Sequence, residues 1–438
     1  MTAKILRGRL LSFVSRPAGR DDTSSYFYEE DGALLIAEGR IAATGTFSEI
    51  KEEADEAIEV IDHRPHLILP GLIDPHIHFP QMQVTASYAA SLLEWLNTYT
   101  FVEEQRFADR EHAARFADLF YDELLRHGTT TASAFCSVHT TSADAYFEAA
   151  CQRKLMMIGG KVMMDRNAPG KLTDTPEKSY EDTKKIISRW HGRGRSLVAI
   201  TPRFAITSSP EQLEMAQTLA EEFPDLHIQT HLSENDAEIE LTMKLYPEAK
   251  DYTDVYARYG LLGKKTLLGH AIHLSDREMD AIAEAGSIAV HCPTSNLFLG
   301  SGLFDLERLD AKDVRIAVAT DIGGGTSYSM LRTLDEAYKI QQLQKNRLSP
   351  IESFWWATRG NAEALGLEKR IGTLAAGTDA DIIVLDSTAT PAMAIRRETV
   401  ETLEEELFLL QTMGDDRSVR EVYVAGRASH PDRRNKAG

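Results

Sequence analysis

The stretch Pro70-Gly71-Leu72-Ile73-Asp74-Pro75-His76-Ile77-His78 decides how this chain is read. The apolar run His66-Leu67-Ile68-Leu69-Pro70 leads into it, and Leu67–Ile73 reads as a buried strand. His76 and His78 stand two apart, and on an extended backbone side chains two apart leave on the same side. Two imidazoles converging at the end of a buried strand supply half of a tetrahedral or five-coordinate metal site. A lone His-x-His also arises where two histidines simply hydrogen-bond to backbone near a turn. The remaining ligands must therefore be sought elsewhere in the chain.

Working outward, residues 66–366 alternate short apolar, β-branched runs with longer helical patterns, which is the signature of βα units around a parallel sheet. Eight runs stand out: Leu67–Ile73, Thr129–Ala134, Met156–Met163, Leu197–Thr201, His227–Thr230, Thr266–Gly269, Ser287–Val290 and Arg315–Ala319. Helices are expected between them, among them Phe116–Arg126, Pro210–Glu222 after Ser208-Ser209, and Ser275–Ala285, where Ser275 and Glu278 form a capping box. Eight units of this kind fit a (β/α)8 TIM-like barrel, with an open doubly wound sheet as the competing architecture.

The placement of polar residues favours the barrel, because each informative group follows the C-terminal end of a run, where barrel enzymes place their chemistry. The first run delivers His76 and His78, and the fourth ends in Thr201-Pro202-Arg203-Phe204. The fifth ends in His231-Leu232-Ser233-Glu234, the sixth in Gly269-His270, the seventh in His291-Cys292-Pro293 and the eighth in Thr320-Asp321. Singly, each would pass as a satisfied core histidine or a turn aspartate; together and in this order they point to one constellation.

The two chain ends have a different texture. Ala33–Ala37 and Ile41–Gly45 flank a Gly-containing turn and read as a hairpin, and Glu59–Asp62 is a further short strand. Ile382–Leu385 and Val419–Gly426 repeat the pattern near the other end. Residues 1–65 and 367–438 are therefore expected to combine into a small composite β-sandwich domain beside a catalytic barrel over 66–366.

Composition narrows the partners. The 438 residues carry 67 acidic and 48 basic side chains, a formal charge of -19, so nucleic acid and anionic membrane are poor partners. No run approaches the roughly 18 apolar residues that would cross a bilayer, and no signal-peptide core is evident at the N-terminus. Cys136, Cys151 and Cys292 lack CxxC spacing, which suits a reducing cytoplasm.

His76-x-His78, His231, His270 and Asp321, together with Pro70-Gly71-Leu72-Ile73-Asp74, resemble the metal-site pattern of the amidohydrolase superfamily. The closer resemblance is to its guanine deaminase branch. It is carried by His76–Gln81, Leu92-Leu93-Glu94-Trp95-Leu96, Gly128–Thr131, Thr201–Phe204, His231–Asn235, Tyr328–Leu331 and Gly414–Arg417. No lysine follows the fourth run to bridge two ions, which favours a single one. The resemblance implies one Zn²⁺ per subunit, with Fe²⁺ second. Its ligands would be His76, His78, His231 and Asp321, with His270 a further ligand or a partner of the bound water.

The same resemblance implies that guanine is hydrolysed to xanthine and ammonia. Glu234, Asp321 and His270 would act as catalytic groups, and Gln81, Arg203, Phe204, Glu234 and Trp95 would contact the purine. It also implies a cytoplasmic homodimer. His273 is expected to stand behind the site residues or to be structural. The alternatives are an S-adenosylhomocysteine-, adenosine- or triazine-type aminohydrolase and, more remotely, a non-catalytic scaffold relative.

Overall fold

The computed structural model describes residues 3–19, 21–88 and 91–432. Its centre is a run of parallel strands, each paired with the next in chain order. They are Leu72–His78, Thr129–Phe135, Met156–Gly160, Ser196–Pro202, His227–Leu232, Thr266–His270, Ile288–His291 and Arg315–Val318. Strands covered on both faces need no polar alternation, and apart from Leu197 and Arg315 every residue in these eight is buried. Between them lie helices that wrap the outside. Pro210–Glu222 is capped by Ser209, and Asp276–Ala285 begins with the reciprocal Ser275–Glu278 capping box.

Side chains and turn backbone close the barrel between the eighth strand and the first. The Asn361 amide donates to the carbonyls of Ile73 and Val318, at 2.8 Å each, and accepts from the Val318 N–H at 3.1 Å. Higher up, the buried Asp74 carboxylate accepts from the N–H and hydroxyl of Thr320. At the rim the Asp321 N–H donates to the His76 carbonyl and the His78 N–H to the Ile322 carbonyl. This seam ties His76 and His78 to Asp321.

The chain ends form one seven-stranded sheet. Its strands include Lys4–Phe13, the hairpin Tyr26–Ala37 with Arg40–Thr46, Glu59–Pro70, Ile382–Leu385 and Val419–Val424. Leu6, Leu34, Ile36, Ile68, Ile382 and Val384 give it a core of its own. On the opposite face Leu67, Leu69, Ile383 and Leu385 join the main core under the barrel helices.

Two expectations need correction. The run 67–73 is not one strand: Leu67–Pro70 ends a strand of the outer sheet, paired antiparallel with Ile382–Leu385, and Leu72 begins the barrel. Gly71 makes the transition, since a Cβ there would sit 2.1 Å from the Thr130 hydroxyl. The C-terminal portion is also not wholly β. It contains the helices Pro391–Arg397 and Leu403–Met413, and from the second Gln411 donates to the Leu334 carbonyl of a barrel helix at 3.1 Å.

Candidate metal centre

His76 and His78 project from the first strand into the barrel mouth, where His231, His270 and Asp321 arrive from the fifth, sixth and eighth strands. Asp321 Oδ1 lies 3.4 Å from His76 Nε2 and 3.3 Å from His78 Nε2, and Asp321 Oδ2 lies 3.7 Å from His270 Nε2. His78 Nε2 and His231 Nε2 are 3.1 Å apart. The ligating atoms of His76, His78 and His231 fall within 4.8 Å of one another, and so do those of His76, His270, Cys292 and Asp321.

Hydrogen bonds on the outer ring nitrogens settle which nitrogen faces inward. His231 Nδ1 donates to the Arg203 carbonyl at 2.7 Å, and His270 Nδ1 to Asn296 Oδ1 at 2.9 Å. Each ring thus keeps a bare Nε2 for the centre. Burial lowers the His78 pKa to about 4 and holds His231 well below its ordinary value, so both rings are neutral. Both nitrogens of His76 and Nδ1 of His78 are buried without a hydrogen-bond partner. Buried polar atoms left unpaired are costly. Neutral imidazoles converging on a carboxylate in this way fit a divalent cation of the zinc or iron kind.

The backbone is bent to achieve this. His270 and Asp321 lie in the left-handed region, with φ of 70° and 53°, as does Ser233 at 49°. Such positions cost about 1 kcal/mol or more each and persist where surrounding structure imposes them. Gly269 leaves room for a ligand, because a Cβ there would come within 2.5 Å of the His76 ring. Phe135, ending the second strand, lies against His76, His78 and His231 at centroid distances of 4.7–4.8 Å and forms an apolar side to the centre.

A cavity opens beside the candidate metal ligands. Gln81, Trp95, Arg203, Phe204 and Glu234 all line it, together with Leu92 and Leu96. Glu234 Oε2 lies 3.4 Å from His270 Nε2, while its Oε1 accepts from the Ser301 hydroxyl at 2.9 Å. Burial, then the charge of Asp321, pushes its pKa up to about 8. His273 stands outside the cavity and donates to the Ser301 carbonyl at 2.7 Å, so it braces the loop that holds Glu234.

The structure thus brings together every residue expected at the site. It adds two that sequence reasoning passed over, Phe135 and Glu104, and it gives places to two residues at the end of the seventh run: Cys292 as a neighbour of the ligands and Asn296 behind His270. Phe135, Cys292 and Asn296 carried a usable signal, since they follow strand ends as the ligands do. Glu104 had none; it lies in the helix Phe101–Glu104, far from any run.

The barrel mouth lined by candidate metal ligands and the sheet built from both chain ends define a metal-dependent hydrolase architecture, and the chain belongs to the amidohydrolase family, whose profile matches residues 67–428. Among its relatives is the guanine deaminase of Escherichia coli (strain K12), 47% identical over 427 residues and covering 97% of each chain. The solved structure of E. coli guanine deaminase superposes with a TM-score of 0.93 at 46% identity, over 98% of this chain and 99% of that one. A guanine deaminase from C. acetobutylicum, solved with guanine in its active site, superposes with a TM-score of 0.86 at 28% identity, over 98% and 100% of the two chains.

Proposed function

We propose that this protein is a zinc-dependent guanine deaminase that converts guanine and water to xanthine and ammonia. One observation carries the reading: the candidate metal ligands open into a cavity that Arg203 and Gln81 also line. Near full-length similarity to guanine deaminases supports it.

His76, His78, His231 and Asp321 would hold the ion, with His270 as a further ligand or a partner of the attacking water. A bound divalent ion supplies a Lewis acid and makes a nearby water acidic at neutral pH. The side chains supply the rest. Arg203 donates to the carbonyl edge of the purine, at O6 and N7. Phe204 covers a ring face, with Leu92, Trp95 and Leu96 as the apolar walls. Gln81 offers a donor and an acceptor.

Glu234, whose pKa burial raises, gives its proton to the ring nitrogen next to C2 as water oxygen adds to that carbon. Asp321 takes one proton from the water and passes it to the departing amine, which leaves as ammonia as the C2–N bond breaks, while the hydroxyl proton left on C2 returns to Glu234 and the C2 carbonyl of xanthine forms. Three free cysteines fit a reducing compartment such as the cytoplasm. The exposed Leu297, Phe298 and Leu303, close in sequence to the cavity residue Leu299, offer an apolar surface for a second copy in a homodimer.

The test is turnover by purified, metal-loaded protein. Xanthine and ammonia should appear in equal amounts from guanine, with one zinc per subunit by elemental analysis. Absence of guanine turnover, while adenosine-type or triazine substrates react, would move the protein to a sister aminohydrolase.

A further inference from the structure

Behind the purine-facing side of the cavity lies a carboxylate that the proposed reaction does not use. Glu104 is fully buried, yet it joins Arg203, assigned to the carbonyl edge, to Gln81, the other polar group expected to contact the purine. Its Oε1 accepts from Gln81 Nε2 at 2.8 Å and from Arg203 Nη1 at 2.9 Å, and its Oε2 accepts from Arg203 Nη1 at 2.7 Å. The same short helix lays the Phe101 ring 5.3 Å from the Arg203 guanidinium, and the Glu104 carbonyl accepts from Ser137 at the exit of the second strand at 2.9 Å.

Two consequences follow from elementary chemistry. An ionised carboxylate only accepts hydrogen bonds, so it fixes the Gln81 amide with nitrogen toward Glu104; the amide oxygen is then free to accept from the Gly323 N–H at 3.2 Å. Flipping the amide would set oxygen against carboxylate. Arg203, 2% exposed, is likewise a buried cation whose charge is compensated on the spot. Only Nη1 is engaged by Glu104, which leaves Nε and Nη2 as neutralised donors suited to a neutral carbonyl purine and indifferent to an anion.

Building on the guanine deaminase reading, we propose that Glu104 is a positioning residue that sets ligand selectivity at this edge. It orients Gln81 and cancels the Arg203 charge, so that the neutral substrate is preferred over the more acidic product, xanthine, whose anion a bare guanidinium would retain.

The experiment uses the zinc-loaded enzyme and steady-state kinetics with guanine, with xanthine as competitive inhibitor. Glu104→Gln should raise KM for guanine about tenfold while kcat stays within about threefold, and should lower the ratio of xanthine Ki to guanine KM about tenfold. Glu104→Asp, which keeps the charge, should hold that ratio within about threefold of the parent. In the double variant Glu104→Gln/Arg203→Gln, which removes the guanidinium from this edge, the ratio should return toward the parent value. A common factor on KM, Ki and kcat, or Glu104→Asp matching Glu104→Gln, would overturn the proposal.

The unaltered enzyme gives an independent measurement should Glu104→Gln fail to fold. Raising the pH through xanthine ionisation should not tighten xanthine relative to guanine, and tightening would overturn the proposal. Absence of guanine turnover by the unaltered enzyme removes both readings, whereas turnover with an unmoved ratio in Glu104→Gln removes only this one.

Discussion

Asn361→Ala is expected to loosen the barrel at its closing seam. The Asn361 side chain bridges the first and eighth strands through three buried hydrogen bonds of 2.8, 2.8 and 3.1 Å. Each such bond contributes about 1 kcal/mol net, and its loss leaves buried groups unsatisfied at about 1–3 kcal/mol apiece, so roughly 4 kcal/mol is a reasonable total. Here the orphaned groups are the Ile73 carbonyl and the N–H and carbonyl of Val318. With an unfolding entropy of about 2.1 cal/mol/K per residue, a chain of 438 residues has roughly 0.9 kcal/mol/K, so the midpoint should drop by about 4 °C. Differential scanning calorimetry at fixed protein and zinc concentration reads this directly. Asn361→Asp, which keeps the acceptor but sets a buried carboxylate oxygen against the Ile73 and Val318 carbonyls, should lower the midpoint at least as far. A drop smaller than about 1 °C for Asn361→Ala would show that the strand ladder and the rim bonds close the barrel without this bridge.

Three further outcomes are expected. Glu234→Gln should lower kcat by about 10²- to 10⁴-fold while zinc content stays at one per subunit; retained turnover would take Glu234 out of the proton path. Burial pushes the thiols of Cys136 and Cys292 up, whereas Cys151 is part-exposed, so a thiol reagent should titrate one cysteine in the native protein and three after denaturation; two fast-reacting native thiols would contradict the packing after the second or the seventh strand. Burial raises Asp74 from its ordinary 3.8 to about 6, so the folded state holds this proton more tightly than the unfolded chain does. The contribution is present at low pH and lost as pH rises through about 6. The stability of the parent relative to Asp74→Asn should therefore fall between pH 4 and pH 7, by up to about 3 kcal/mol. Denaturant melts showing no such slope would mean that Asp74 is held ionised by Thr320.

Much of this molecule is local in origin. The two-residue spacing of His76 and His78 needs only an extended backbone to put both rings on one side. The Ser275–Glu278 capping box and the Ser209 cap at Pro210–Glu222 were legible for the same reason: partners three residues apart meet whatever the rest of the chain does. Apolar runs separated by helical periods set the order of the barrel strands, and with it the ends at which His231, His270 and Asp321 emerge.

Long-range geometry decided the rest. An apolar run contains nothing to say that Leu67–Pro70 pairs with Ile382–Leu385 while Leu72 enters a different sheet, because both environments bury the same residue types. Asn361 bridging Ile73 and Val318 joins segments separated by hundreds of residues, and Glu104 reaches Arg203 across 99 positions. A carboxylate in a short helix carries no sign of its partners until the chain has folded, because the partners and the burial that strengthen the contact are both products of tertiary packing.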